Sequence, residues 1–456
     1  MRERIIHMPN YLFRTAAAFC AGSLIVGCSN FLDSPGAKAD PNLPTGATND
    51  QLFVGAQANI FAQQEGPLAM IACQWMQQCS GVNGRFVEQQ DSYSINAGTF
   101  DVPFQEVYSA GGLVALRTVQ ASSDAAGDKV YEGVAQVLEA LLVGTTASIW
   151  GDIPYSEAVG SNPTPPFDGQ LAVYASLQTL LDKAITNLQG AGPGPGAVDL
   201  FYAGDKAKWI RAANTLKARF YMHTAEVAGA PAYTAARTAA LLGINSPNND
   251  LRSAHATATS ERNMWPQFQN TSFGPDLVAG NRLVEMMKAQ NDPRLPEYFG
   301  VAINGNYGGF DVTTGTTPGD AISPLDGSRN SDTFRQPILT WEENQLILAE
   351  TNFKLSGIAA AQPYLDAVRT GRGKSIVPAT LQNIMEEKYI AMFQNIEAWN
   401  DWKRTCFPVL KPALGKTVIP GRLYYGQTEE QTNPNTPPSS AQNLFTVRNP
   451  NDPNPC

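Results

Sequence analysis

The segment VAQVLEALLVGTTASIWGDIPYSEA, residues 134–158, carries a helical repeat that stops abruptly. Its apolar side chains recur at the three- and four-residue spacings of one helix face: Val134, Val137, Leu138, Leu141, Leu142 and Thr145. The repeat ends at Trp150, because Gly151 permits a turn and Pro154 disfavours helical backbone at Ile153. The segment therefore predicts a long helix followed by a tight turn.

Similar periodicity predicts helices along most of the chain. They lie within 174–188 and 209–223, and near 51–64, 104–120, 281–289, 341–356, 359–370 and 380–396. Turn-forming residues predict long loops at 161–169, 190–200, 244–280 and 300–336, and a polar, proline-rich tail at 427–456 with little regular structure. The expected fold class is mainly α, with tetratricopeptide-like helix pairs and long ordered loops.

Composition limits the possible functions. The 456 residues are 43% hydrophobic and carry a formal net charge of −9. That is enough apolar material for a large core. An acidic surface repels phosphate backbones, so nucleic-acid binding is not expected.

The amino terminus has the pattern of an export signal. Arg2, Arg4 and Arg14 precede an apolar run at 15–26, which is too short to span a bilayer of about 30 Å as a helix. Gly27 before Cys28 matches the lipobox of bacterial lipoproteins. We therefore predict three parts: a signal peptide at 1–27, a lipidated Cys28 with a tether to residue 50, and a binding domain at 51–456.

The alternative for this region is an ordinary secretory peptide, and Met8 is a second candidate start. No further transmembrane segment is expected after residue 27, so the lipid would be the only membrane attachment.

The sequence contains six cysteines: Cys20, Cys28, Cys73, Cys79, Cys406 and Cys456. The first leaves with the signal peptide and the second takes the lipid, so four remain for an oxidising compartment. Three connectivities are possible. We favour Cys73–Cys79, which closes a short loop, and Cys406–Cys456, which holds the tail. Zinc binding is the competing interpretation, but the spacing is not CxxC and no histidine lies nearby.

Several motifs, in this order along the chain, resemble the SusD/RagB family. They are WGDIPYSEA at 150–158, PFD at 166–168, GD at 204–205 with KW at 208–209, DPRL at 292–295, PILTW at 337–341, EK at 387–388, DWKRT at 401–405 and RLYY at 422–425. Each motif is short, but together they cover nearly the whole chain. The resemblance implies a SusD-like helical scaffold.

The resemblance also implies a function. It predicts an outer-membrane, surface-exposed lipoprotein that binds oligosaccharide and delivers it to a SusC-like TonB-dependent transporter. A peptide-binding, RagB-like protein on the same scaffold is the first alternative. A secreted glycosidase and a purely structural surface protein are the others.

The motif residues themselves have simple structural interpretations. Asp205 is expected to cap a helix, and Asp292 to cap another with Pro293 at its first position. Asp401, Lys403 and Arg404 are expected to form a surface ion-pair cluster.

No motif predicts catalysis. Neither HExxH, paired CxxC nor GxSxG occurs, and the exported chain has two histidines, His223 and His255, far apart in sequence. His223 shares an apolar helix face with Trp209 and Phe220, which favours a core position. We therefore expect a binding protein that is not an enzyme and that holds neither metal nor cofactor.

Aromatic residues in the predicted loops are the ligand candidates, because sugars stack on flat rings and loops over a rigid scaffold often carry binding sites. The candidates are Phe86, Tyr93, Trp265, Phe268, Tyr307 and Phe310. Glycines around Tyr307 are expected to leave its ring exposed. For Trp75 and Phe273, packing of loop onto helix is the preferred interpretation.

Overall fold

Helices supply most of the regular structure within residues 46–91, 93–109 and 111–456, which the computed structural model describes. They are α1 (Asn49–Glu65), α2 (Pro67–Trp75), α3 (Gly84–Asp91), α4 (Asp101–Tyr108), α5 (Leu113–Ala125), α6 (Lys129–Trp150), α7 (Gln170–Leu188), α8 (Lys206–His223), α9 (Ala225–Ala228), α10 (Ala230–Ala240), α11 (Met264–Gln269), α12 (Asn281–Ala289), α13 (Leu295–Tyr298), α14 (Trp341–Ser356), α15 (Ile358–Gly371), α16 (Leu381–Ala391), α17 (Glu397–Thr405) and α18 (Gln427–Thr432). The short strands are β1 (Cys79–Gly81), β2 (Leu251–Arg252), β3 (Leu277–Ala279) and β4 (Pro337–Leu339). The predicted mainly α class is confirmed. The signal peptide, Cys28 and residues 29–45 of the tether lie outside the described residues.

Helix α6 is the centre of the core. Almost every residue from Val130 to Trp150 is buried, so the helix is covered on all sides. It is long and apolar enough to cross a membrane, but 94% of its most apolar window is buried inside the protein. Asp128 caps its start by accepting from the Tyr131 N–H at 3.0 Å. It ends at Gly151, whose φ of 87° favours glycine, as the sequence predicts.

Helices that are close in sequence pack against one another. Helix α6 packs against α5 and α7, and α7 packs against α8. Helix α10 packs against both α8 and α14, and α14 in turn packs against α15 and α16. This is the predicted arrangement of helix pairs. The Asp205 carboxylate accepts from the Ala207 and Lys208 N–H groups and caps α8, which confirms the predicted cap.

Some predicted boundaries are wrong. The helix expected near 104–120 is divided into α4 and α5 by a turn in which the Gly112 N–H donates to the Ser109 carbonyl at 2.9 Å. The loop expected at 244–280 contains α11, β2 and β3. β2 pairs with β4 and β3 with β1, across separations that local sequence patterns do not reveal.

The predicted surface cluster of Asp401, Lys403 and Arg404 is buried instead, so that interpretation is wrong. The three side chains are 5%, 2% and 3% exposed. The Arg404 guanidinium pairs with Glu350 of α14, and the Asp401 carboxylate accepts from Lys388 at 3.0 Å. These charged side chains are buried because they pair with residues of other helices, which the local sequence does not reveal.

The Asp292 cap is confirmed only in part. Its carboxylate accepts from the Arg294 N–H at 3.0 Å, but α13 begins at Leu295, two residues after the predicted first position. Pro293 therefore lies outside the helix rather than at its first position. The Asp292 carboxylate also accepts two hydrogen bonds from the Arg294 guanidinium, at 2.8 and 2.6 Å. Both side chains are fully buried.

The structure contains the two favoured disulfides. Cys73 at the end of α2 is joined to Cys79 in β1, and Cys406 after α17 is joined to Cys456. The second bond closes a loop of 50 residues and holds the tail against the helices.

Close packing of α6 on α8 gives a test of the core. A Cβ at Gly144 would lie 2.0 Å from the buried Phe220 ring. We expect Gly144→Ala to lower the free energy of unfolding by about 1–3 kcal/mol through overpacking. Gly55→Ala in α1 is the matched control. Nothing lies within 4 Å of its Cβ, so it should raise the stability by up to about 1 kcal/mol. Chemical denaturation measures both, and equal effects would contradict this packing.

The tail also gives a pH-dependent prediction. Burial raises the pKa of Asp452 from 3.8 to about 6, although Lys403 lies 3.5 Å away and opposes the shift. Between about pH 4 and 6 the folded chain holds a proton that the unfolded chain releases. The free energy of unfolding of the native protein, relative to Asp452→Asn, should therefore fall by roughly 3 kcal/mol as the pH rises through this window. A difference that stays constant or increases in denaturation at pH 4, 5, 6 and 7 would refute the assignment.

Candidate functional site

The candidate aromatic residues come from three regions of the chain that meet at one small sheet: the first contains Phe86 and Tyr93, the second Trp265 and Phe268, and the third Tyr307 and Phe310. β1 from the first region pairs antiparallel with β3 from the second, with Cys79 opposite Ala279 and Gly81 opposite Leu277. The third region joins through Phe310, whose N–H donates to the Ala279 carbonyl at 2.9 Å. Because the Cys73–Cys79 disulfide attaches β1 to α2, the loops are fixed to the helical scaffold.

Glycine permits the third loop to approach the sheet. A Cβ on Gly309 would lie 2.4 Å from the Asn281 nitrogen, and one on Gly308 would lie 2.2 Å from the Ala321 carbonyl oxygen. These glycines therefore allow backbone contact. The expectation that they expose the Tyr307 ring is wrong, because that ring is half-buried and packs against the core.

Three of the six candidate rings belong to the core. Trp265, Phe86 and Tyr93 are 3%, 3% and 4% exposed. Phe86 makes an edge-to-face contact with Phe268, and Tyr93 makes one with Trp75. Rings this enclosed present no free face to a sugar, so we do not include these three in the proposed site.

The other rings lie nearer the surface. Phe268, Tyr307 and Phe310 are half-buried, and Phe273 is 59% exposed. The preferred packing interpretation of Phe273 is therefore wrong, whereas Trp75, at 1% exposed, is packed as expected.

Phe310 lines a cavity of about 260 Å³, which we call the Phe310 cavity. Its other lining residues are Gln77, Asn281, Arg282, Asp311, Val312, Thr313, Val409 and Lys411. The Asp311 carboxylate accepts from the Thr313 N–H and hydroxyl at 2.9 and 2.7 Å, which stiffens the loop. The Nε of Arg282 is buried and has no hydrogen-bond partner among the described residues. A ring, amides and an unsatisfied donor can together hold sugar hydroxyls.

The polar side of this cavity is not predicted by the sequence. Asn281 and Arg282 begin α12 immediately after β3, and Lys411 comes from the loop after α17. The Gln77 amide donates to the Lys411 carbonyl at 2.5 Å, which joins two segments more than 300 residues apart. No local pattern indicates such a contact.

Neither described histidine forms a catalytic arrangement. His223 is buried, between the Tyr174 hydroxyl at 3.0 Å and Glu397 at 2.7 Å, which confirms its expected core position. Burial opposes ionisation of Glu397, but His223 and Arg219 outweigh it and lower its pKa.

His255 superficially resembles a hydrolase histidine. Its Nε2 lies 2.9 Å from both the Ser253 hydroxyl and the Glu65 carboxylate. A Ser–His–acid triad needs the acid on the other ring nitrogen, which here contacts the Glu261 carbonyl at 3.2 Å. Among the described residues, no group of three or more His, Cys, Asp or Glu side chains is placed to hold a metal ion.

Comparison with known proteins identifies the family. The family model for SusD-like proteins, described as starch-binding and associating with the outer membrane, matches residues 41–371 and 357–426. The chain belongs to the SusD-like family. The family resemblance of its motifs is therefore confirmed.

Solved SusD-like structures share the fold. A chitin-binding protein matches with a TM-score of 0.73 and 22% identity, over 89% of this chain and 100% of the other. A chitin-binding SusD homolog from Flavobacterium johnsoniae gives 0.72 and 18%, over 84% and 94%. A SusD/RagB family protein from Bacteroides thetaiotaomicron gives 0.70 and 19%, over 89% and 98%. No curated protein matches.

Proposed function

We propose that this protein is a lipid-anchored, surface-exposed outer-membrane protein that binds oligosaccharide and passes it to a SusC-like TonB-dependent transporter. The observation that carries the proposal is the family match across most of the chain, with its starch-binding, outer-membrane description. Two relatives of the same fold are named for chitin binding, which favours a glycan ligand.

The loop face around β1 and β3 is the proposed ligand surface. It joins the half-buried Phe268, Tyr307 and Phe310 to a helical scaffold through main-chain hydrogen bonds and a disulfide. A preformed surface loses little conformational freedom on binding. Phe310 supplies a ring face, and Asn281 and Arg282 supply groups that hydrogen-bond to hydroxyls.

We propose that the protein acts by binding, without catalysis, in keeping with its match to a family described as starch-binding. Among the described residues, both histidines are held by hydrogen bonds, and no nucleophile lies beside a base in the order that a triad requires. A peptide-binding role on the same scaffold is the competing function, and a panel of ligands separates the two.

The first functional prediction concerns Phe310. Phe310→Ala should weaken binding of chito- or malto-oligosaccharides roughly tenfold, because a sugar loses its stacking partner. Phe445→Ala is the matched control, since this tail ring is 40% exposed and does not line the Phe310 cavity. Isothermal titration calorimetry measures both variants against glycan and peptide panels. Equal losses, or binding of peptides only, would contradict the assignment.

The second functional prediction concerns membrane attachment. Cys28→Ser should remove the lipid acceptor, so radiolabelled palmitate should no longer enter the protein and the protein should leave the outer-membrane fraction. Cys20→Ser is the control, because that cysteine lies inside the predicted signal peptide and should leave labelling unchanged. Membrane retention of the Cys28→Ser protein would show that another feature holds it there.

A further inference from the structure

A second cavity, of about 400 Å³, lies where the start of α14 faces the end of α15. We call it the Trp341 cavity. Its lining includes Asp250, Arg252, Arg329, Phe334, Trp341 and Arg372. It shares no lining residue with the Phe310 cavity, and its volume is within the range of small-ligand sites.

Arg329 is the unusual residue of this cavity. Its guanidinium carbon lies 4.3 Å from the Tyr298 ring centre and 5.5 Å from that of Phe334. Its NH2 donates to the Tyr298 hydroxyl at 3.4 Å, whereas its NH1 is buried without a hydrogen-bond partner. No carboxylate of the described residues lies within 4 Å of the guanidinium. Burial lowers the pKa of Arg329, although the charges of Glu297 and Glu342 oppose the shift from a greater distance. The two rings offset only part of the cost of burying this charge.

The nearby carboxylates are already paired with other arginines. Asp250 accepts from Arg252 at 3.2 and 2.6 Å. Glu342 accepts from the Arg372 Nε, and Glu297 lies 3.8 Å from the same guanidinium. Because Arg252 and Arg372 are paired, Arg329 is the cation available to an anionic ligand. The carboxylate oxygens of these pairs can still accept hydrogen bonds from hydroxyl groups.

Trp341 supplies a flat apolar surface in the same cavity. Its ring is half-buried, and its backbone N–H donates to Asp250 at 2.7 Å, which fixes the start of α14. A sugar ring stacks on such a face through its C–H groups, and a guanidinium holds a carboxylate through paired hydrogen bonds. The two side chains together therefore suit a ligand that is both a sugar and an acid.

We infer that the Trp341 cavity binds an acidic sugar unit, a uronic acid, with its carboxylate at Arg329 and its ring face on Trp341. This inference extends the proposed glycan-binding function to a second site. A peptide with a free carboxyl terminus would share the arginine contact. Its backbone N–H groups could also donate to Glu297, Glu342 and Asp250, but a peptide backbone has no ring of C–H groups to stack on Trp341, so we favour the sugar.

The test compares methyl β-D-glucuronide with its neutral match, methyl β-D-glucoside. The native full chain should bind the glucuronide roughly ten- to a hundredfold more tightly, as measured by calorimetry and saturation-transfer NMR. Arg329→Gln should remove this preference, and Trp341→Leu should weaken both ligands. Arg237→Gln, which alters a half-buried arginine of α10 outside the cavity, should keep the preference.

Three results would overturn the inference. They are equal binding of both glycosides by the native protein, a preference that survives Arg329→Gln, and tighter binding of a short peptide carboxylate at the same site. The native comparison needs no variant, so it decides the question even if Arg329→Gln fails to fold. Chito-oligosaccharide binding by Arg329→Gln should remain native-like, which separates this site from the Phe310 cavity.

Discussion

The fold depends on buried ion pairs between segments that are distant in sequence. Arg294 lies fully buried between Asp292 and Glu387, with contacts of 2.6 and 2.5 Å, and Lys374 donates to the same two carboxylates. Burial opposes ionisation of Glu387, but Arg294 and Lys374 outweigh that effect and lower its pKa. Removing one partner of such a pair typically costs about 3–5 kcal/mol, because the other charge is left buried and alone. The cluster therefore fixes α13, α15 and α16 relative to one another.

Buried charged side chains also connect α6, α8, α14 and α17. Arg219 of α8 pairs with Glu343 of α14 at 2.6 Å, and Arg404 of α17 pairs with Glu350, also of α14. Lys403 donates to the Ser148 carbonyl of α6 at 2.5 Å. Charged residues of the motif at 401–405 and of α8 and α14 thus pair in the interior of the scaffold. The proposed ligand surface lies on loops that are attached to this scaffold.

Sequence patterns predict where the helices and caps of this fold lie better than they predict which side chains are buried. The periodicity at 134–150 and the caps at Gly151 and Asp205 are local signals, and each is found where expected. The burial of Arg404 is not a local signal, because its partner Glu350 lies 54 residues away. The loop aromatics show the same limit: Trp265 and Phe310 look alike in sequence, yet one ring is buried and the other lines a cavity. The exposure of each ring depends on contacts with segments that are distant in sequence, which local patterns do not reveal.

A single measurement tests the central claim, that the loop face of a non-catalytic SusD-like protein holds oligosaccharide. It is a crystal structure of the full chain grown with a chito-oligosaccharide of four to six units. We expect an intact oligosaccharide on the loop face, with one sugar ring against Phe310 and hydroxyl groups within hydrogen-bond distance of Asn281 or Arg282. A ligand bound away from the loops, or one that has been cleaved, would contradict it.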